Sequence, residues 1–380
     1  MLAPRASPHE SSVLVSHSRA TSRPTSHSTA DVLVIGDGVI GLAVAVAVAR
    51  AGGSCRVLGR TITGAASSAS AGLLAPSIGA ADQMFRAFMR ASRDRYPEWL
   101  HWLAERTGVE VTLNLSGIIE IPGKSSEPVN GGDQLDRRAI SRLEPAITDP
   151  ADAFLYRDDG YVDNVRLLAA LREAARCEWS IDVVDGRVAA IEPGIDSCRV
   201  ITEDGRAQMG QSVVLAAGAW SALVAGAPRP IPIEPVRGQM LQLRGCPLSH
   251  AVSAADAYLV PRGDTTLVGS TLERVGFDST TTVGALDRLR AAAATVVSSF
   301  ADADVERTWA GLRPMTPDGL PLIGRDPDLP SVVYACGHGK NGILLAPLTA
   351  ECVAAIVAGG KPAMDITPFD VQRFAPAGDP

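Results

Sequence analysis

"DVLVIGDGVIGLAVA", Asp31–Ala45, turns a strand into a helix through three glycines. Asp31–Ile35 is a short apolar run ending at Gly36, which predicts a buried strand. Gly36, Gly38 and Gly41 follow at the spacing that lets backbone amides approach a pyrophosphate at a helix N-terminus. Val39–Arg50 is the helix, and "CRVLG", Cys55–Gly59, supplies the second strand of a βαβ start. Two residues depart from the usual pattern. Asp37 puts a carboxylate between the first two glycines, and we expect its side chain to turn to solvent while its N–H faces the phosphate. The end of the second strand ordinarily carries an acid for the ribose hydroxyls, but here it holds Gly59 and Arg60. An arginine there suits a 2′-phosphate, so this motif alone leaves FAD and NADP both open. It also predicts a weakened adenosine site that Gly59→Glu would tighten.

The chain has 380 residues, enough for two domains and a large core. It is 46% apolar and 20% charged, the composition of a globular protein. A net charge of −7, with no basic run past the N-terminus, argues against nucleic acid as a main partner. The six cysteines form no C-x-x-C pair and have no histidine at metal-ligand spacing. Free thiols in a reducing cytoplasm, and no metal site, are expected. The apolar run Val39–Ala51 is too short for a membrane span and reads as a buried helix. Residues 1–30 are rich in Ser, Arg, His and Thr and lack the apolar stretch of a secretory signal. Although they loosely resemble a transit peptide, we read them as a disordered extension.

Further along, "TGAASSASAGLLAP", Thr63–Pro76, is a loop of small residues expected to wrap a ligand. Met84–Glu105 has the spacing of a core helix, and Asn164–Arg176 that of an amphipathic helix. "VEVTLNLSGIIEIP", Val109–Pro122, alternates as antiparallel strands, and "SSEPVNGG", Ser125–Gly132, is a surface loop. "GRVAAIEPG" and "SCRVITEDG" read as paired strands, and Pro230–Leu272 as strands and turns. Residues 284–299 return to helix, and Pro330–Gly359 reads as strand, glycine turn and helix. The α/β segments at both ends and in the middle, with strand-rich segments inserted, predict interleaved domains.

Several stretches together carry a family likeness: Asp31–Ala45, "ASSASAGLLAP" (Ala66–Pro76), "VVLAAGAWS" (Val213–Ser221), "WAGLRPMTPDGLPLIG" (Trp309–Gly324) and "GHGKNGILLAP" (Gly337–Pro347). In this order they resemble the D-amino-acid oxidase superfamily, and within it the glycine oxidases of thiamine biosynthesis. The likeness spans roughly Asp31–Gly360. It implies a mixed α/β fold, with a Rossmann-like FAD-binding domain (31–85, 146–229 and 305–365) interleaved with an antiparallel-sheet substrate domain (86–145 and 230–304). Residues 366–380 would be a tail. The second glycine turn decides the cofactor in favour of FAD.

The resemblance assigns residues as well. Gly36, Gly38, Val39, Ile40 and Gly41 would meet the pyrophosphate, with Gly59 and Arg60 at the adenosine. Ala66, Ser67, Ala71, Gly72 and Leu73 would wrap the phosphates and approach the flavin, and Val188 would meet the adenine by its backbone. His338, Gly339, Lys340, Asn341, Gly342, Ile343 and Leu344 would lie under the ring, with His338 acting by its backbone. Arg313 would grip the substrate carboxylate with two parallel hydrogen bonds, helped by Tyr258. Lys340 stands where glycine oxidases often carry an arginine, and Leu272 would line the pocket. Monomeric sarcosine oxidases attach FAD through a cysteine near a T-P-D sequence, but Trp309–Asp318 contains no cysteine, so non-covalent FAD is expected. The implied chemistry is hydride transfer from the substrate Cα with no protein base. The imino acid is then released and dioxygen reoxidises the flavin to yield hydrogen peroxide. Sarcosine oxidase, D-amino-acid oxidase or dehydrogenase, and a non-catalytic flavin protein remain alternatives. The family is often homotetrameric.

Overall fold

Alternate side chains of a strand point to opposite faces, so a sheet buried on both sides needs continuous apolar strands. The run Val32–Ile35 meets that need. In the computed structural model, which describes residues 30–79, 82–122, 131–149, 152–178 and 180–374, Val32 and Val34 join one core and Leu33 and Ile35 the other. Their strand, Ala30–Ile35, lies parallel between Cys55–Gly59 and Ala207–Leu215. Ile181–Asp185 and Val332–Cys336 extend the parallel part on either side. Val188–Pro193 and Cys198–Thr202 add an antiparallel meander against the start of Ala207–Leu215, as the sequence predicts. Residues 1–29 and most of Ser125–Gly132 lie outside the described residues.

Helix Val39–Arg50 packs on one face of this sheet against Gly342–Val357 and Asn164–Cys177. The first two are apolar on nearly every side because they are buried on nearly every side. Gly339–Val357 is long and apolar enough to cross a bilayer, but its apolar surface forms this core.

The second sheet runs in the order 305–315, 234–244, 265–269, 258–262, 251–253, 118–120, 153–156, 133–135. It is antiparallel except where Ile118–Glu120 lies parallel to Ala251–Ser253. Helix Val283–Val296 covers it with Leu289, Ala293 and Val296. Val305–Met315, expected with the first domain, pairs along its length with Glu234–Arg244 in this sheet. Ala153–Tyr156, also expected with the first domain, lies in this sheet too. Backbone pairing across the chain overrides position in sequence here. A small third sheet joins Leu73–Leu74, Gly160–Val162 and Leu113–Asn114.

Other differences have local causes. The single helix expected over Met84–Glu105 is two, Gln83–Arg93 and Tyr96–Thr107. Pro97 is tolerated only in a first helical turn, so the second helix starts just before it. Val109–Pro122 does not form one hairpin. Its two strands, Leu113–Asn114 and Ile118–Glu120, serve different sheets. In the expected tail, Phe369 is buried, its ring 4.8 Å from Phe88 and 5.9 Å from Phe85, and Arg373 pairs with Asp318 at 2.7 Å.

Candidate active site

The first glycine turn is shaped by contacts that exclude side chains. Gly36 has φ +113°, and a Cβ there would fall 2.4 Å from the Ala216 carbonyl oxygen. A Cβ on Gly41 would fall 1.9 Å from the Gly36 oxygen, so Gly41 packs beneath the turn. The helix begins after Gly38 with no acid in its first turn. Ser67 Oγ accepts the Val39 N–H at 3.0 Å, which leaves the hydroxyl proton for a phosphate oxygen. Ser67 is fixed in turn because Asn164 donates to its carbonyl at 2.9 Å. Gly72, at φ +78°, lets the small-residue loop cross the next strand, since a Cβ there would meet the Val162 oxygen at 1.9 Å.

Strand Val332–Cys336 leads into the second turn, where Gly337 and Gly339 have positive φ. Helix Gly342–Val357 starts there, again with no acid in its first turn. His338 is buried, with Nε2 3.2 Å from Thr349 Oγ1. Burial pushes its imidazole down to about 3, which favours the neutral ring near neutral pH. Cys336 is buried too, its thiol pushed up to about 12 by burial, which disfavours the thiolate.

One cavity of about 720 Å³ runs from the first glycine turn to the second. Of the cofactor positions expected from the sequence, Gly36, Gly38, Val39, Ile40, Gly59, Arg60, Ala66, Ser67, Ala71, Gly72, Leu73 and Val188 line it. So do His338, Gly339, Lys340, Asn341, Gly342 and Ile343. Gly41 and Leu344 do not: the first lies under the turn, and the second faces the core. Two helix N-termini without acids, glycines where any Cβ would collide, and a long concave channel fit an FAD-sized dianion. Arg60, which suited a 2′-phosphate on sequence grounds, is turned to Asp185 with bonds of 3.0 and 3.2 Å.

The far wall comes from the second sheet. Arg313, near the end of Val305–Met315, is half-buried and lines the cavity. It donates to the Thr271 carbonyl at 3.1 Å and to Ser270 Oγ. Among the described residues no carboxylate pairs with it. A Cβ on Gly238 would fall 2.3 Å from its Nη2, so that glycine makes room for the guanidinium. Tyr258 Oη sits 3.7 Å from Met240 Sδ, and a Cβ on Gly269 would fall 2.7 Å from that hydroxyl. Leu272 also lines the cavity but is 69% exposed, so it belongs to the mouth. Its loop is pinned by buried Arg237, which holds Glu273 at 2.7 Å and Asp278 at 2.6 Å. Lys340 is exposed at the cavity edge.

The sequence reading missed Arg172, Trp220, Gly238, Met240, Ser270 and Thr271, all of which line the cavity. Gly238 carries a detectable signal: a glycine inside a strand marks a close approach. Asp37 corrects an expectation as well. Its side chain is 22% exposed and lies against Gly59 rather than turning outward to solvent.

A channel that joins two glycine turns and ends at an arginine on a second sheet fits a flavin dinucleotide. The chain belongs to the DAO family, FAD dependent oxidoreductases, whose model matches residues 31–356. It is 35% identical over 373 residues to the bifunctional protein ThiO/ThiG of Synechocystis, covering 93% of this chain and 55% of that protein. This chain thus spans about half the length of such relatives. It is 31% identical to the glycine oxidase of Pseudomonas putida, covering 89% of this chain and 97% of that one. The crystal structure of glycine oxidase from Geobacillus kaustophilus matches with a TM-score of 0.84 at 29% identity, covering 91% of this chain and 99% of that one.

Proposed function

We propose that this chain binds FAD without a covalent link and oxidises glycine or a related small amino acid. The imino acid is released, and dioxygen is reduced to hydrogen peroxide. The observation that carries the reading is Arg313. Its guanidinium faces the same cavity as both glycine turns and has no acidic partner among the described residues. A planar donor of this kind, half-buried and unpaired, is built for a ligand carboxylate.

When bound, FAD supplies the acceptor for a hydride from the substrate carbon and passes the electrons to dioxygen. The residues of the chain do the positioning. Arg313 grips the carboxylate, and the Thr271 carbonyl holds its outer edge. Tyr258 adds a hydroxyl at the same end, and Lys340 contributes positive charge from the edge. No side chain is needed to take the carbon-bound proton, which agrees with a neutral, buried His338. The N-terminus of Gly342–Val357 would favour negative charge on a flavin held beside it. In the same reading the protein works in the cytoplasm as a homo-oligomer and supplies the glycine imine for the thiazole of thiamine.

The test is a peroxide assay on the purified yellow protein with glycine, sarcosine and small D-amino acids, repeated with Arg313→Ala. Peroxide from at least one substrate, lost in the variant, is expected. No peroxide from any member of the panel would overturn the proposal.

A further inference from the structure

The two departures in the dinucleotide motif meet in space. The Gly36 N–H donates to the Leu58 carbonyl at 2.8 Å, which brings the glycine turn beside the end of the second strand. A Cβ built on Gly59 would lie 2.6 Å from Asp37 Cβ, 2.7 Å from Asp37 N and 2.9 Å from Asp37 Cγ. The Asp37 carboxyl thus occupies the space that a side chain at the strand end would take. It lines the cavity together with Gly59, Thr61, Gly186 and Val188.

We propose that Asp37 receives the adenosine ribose hydroxyls of the bound cofactor, and that Gly59 leaves the room it needs. In the usual arrangement that carboxylate comes from the strand end; here it comes from the turn. The inference rests on FAD binding. Arg172 Nη2 lies 3.4 Å from Asp37 Oδ2 and 3.1 Å from Thr61 Oγ1, so it holds one carboxylate oxygen toward the strand. Among the described residues Asp37 Oδ1 has no hydrogen-bond partner and is left for a hydroxyl. Of the other carboxylates near this end, Glu203 is already 3.5 Å from Arg187 on an exposed rim, and Asp185, opposite Gly59, holds Arg60 at 3.0 Å. The Val39 N–H that starts the helix is taken by Ser67 Oγ rather than by Asp37. Arg172 is a positioning residue that acts through Asp37.

The experiment titrates apoprotein with FAD and with FMN, which lacks the adenosine, and reads flavin fluorescence. Asp37→Ala should weaken FAD binding about ten- to hundred-fold, the loss of one charge-assisted hydrogen bond, and leave FMN unchanged. Gly59→Glu alone should weaken FAD binding, because its Cβ collides with Asp37 backbone. The double variant Asp37→Gly/Gly59→Glu removes the side-chain part of the clash but keeps the 2.7 Å approach to the residue 37 nitrogen, so it should bind FAD more tightly than Gly59→Glu alone. Arg172→Met should weaken FAD binding in the wild type but not beside Asp37→Ala, and Arg172→Lys should recover part of the loss. An Asp37→Ala protein that binds FAD as well as wild type, or loses FAD and FMN equally, overturns the proposal. So does a Gly59→Glu protein that binds FAD more tightly. If Gly59→Glu does not fold, the FAD-to-FMN ratio of Asp37→Ala decides alone. Wild-type apoprotein that binds neither flavin would overturn the cofactor reading instead.

Discussion

Gly238→Ala probes the arginine clamp without touching its charge. Gly238 lies in the strand Glu234–Arg244 opposite Gly311, and its φ is not left-handed, so alanine can adopt its backbone. The new methyl would stand 2.3 Å from Nη2, 2.4 Å from Nη1 and 2.5 Å from Cζ of Arg313. Ordinary contact begins at 3.4 Å, so the guanidinium must withdraw by roughly 1 Å. Its bonds to Thr271 and Ser270 would have to break or follow. A positioning group displaced by about 1 Å can cost on the order of 10²-fold in rate, or about 2.7 kcal/mol of transition-state stabilisation. The assay compares kcat/KM for glycine with the FAD dissociation constant and the melting temperature. The first should fall by about that factor while the other two hold. A kcat/KM within twofold of wild type would refute the reasoning, as would a loss that comes only with FAD release and a lower melting temperature.

Three other outcomes are expected. Arg313→Ala should lower kcat/KM by two to four powers of ten, the roughly 3–5 kcal/mol of a broken buried pair, with Arg313→Lys recovering part; normal FAD content in the spectrum confirms that the loss is local. His338 has a folded value of about 3 against an ordinary 6.5, so the unfolded chain gains a proton that the native ring refuses. Stability therefore falls as pH drops from 6.5 toward 3, and denaturant titrations should show His338→Gln flattening that limb while the kcat profile near neutral pH is unchanged. Phe369→Ala should cost about 3–5 kcal/mol in chemical unfolding, because it leaves a cavity between Phe85 and Phe88; a loss under 1 kcal/mol would mean that residues 367–374 are not part of the core.

The first strand, turn and helix were legible because each glycine there answers a local demand: a left-handed φ at Gly36 and a sub-contact approach at Gly41. The same holds for the second turn at Gly337 and Gly339. Arg313 and Tyr258 came from motif resemblance, and the structure places both on the cavity wall. What escaped the sequence depends on contacts between distant segments. Asp37 and Gly59 read as two weaknesses when taken along the chain, and their fit to one another exists only after the two strands pair. Arg172 looked like the polar face of an amphipathic helix until that helix was placed beside the turn. Gly238 and Gly269 signal a close approach as glycines within strands, but the side chains that approach, Arg313 and Tyr258, come from neighbouring strands and are not named by the local pattern. The break between the two helices at Asp94–Arg95 was hidden because both halves share a buried face.

The central claim is that the unpaired Arg313 delivers an amino acid to bound FAD for oxidation, and the most direct test is anaerobic. The purified protein, freed of oxygen, is mixed with glycine and its yellow flavin absorbance followed, with Arg313→Ala beside it. The account predicts that wild type bleaches, regains its colour and yields peroxide when oxygen returns, and that the variant stays yellow on the same timescale. A wild-type spectrum unchanged by glycine, sarcosine and small D-amino acids, or a variant that bleaches equally fast, would contradict it.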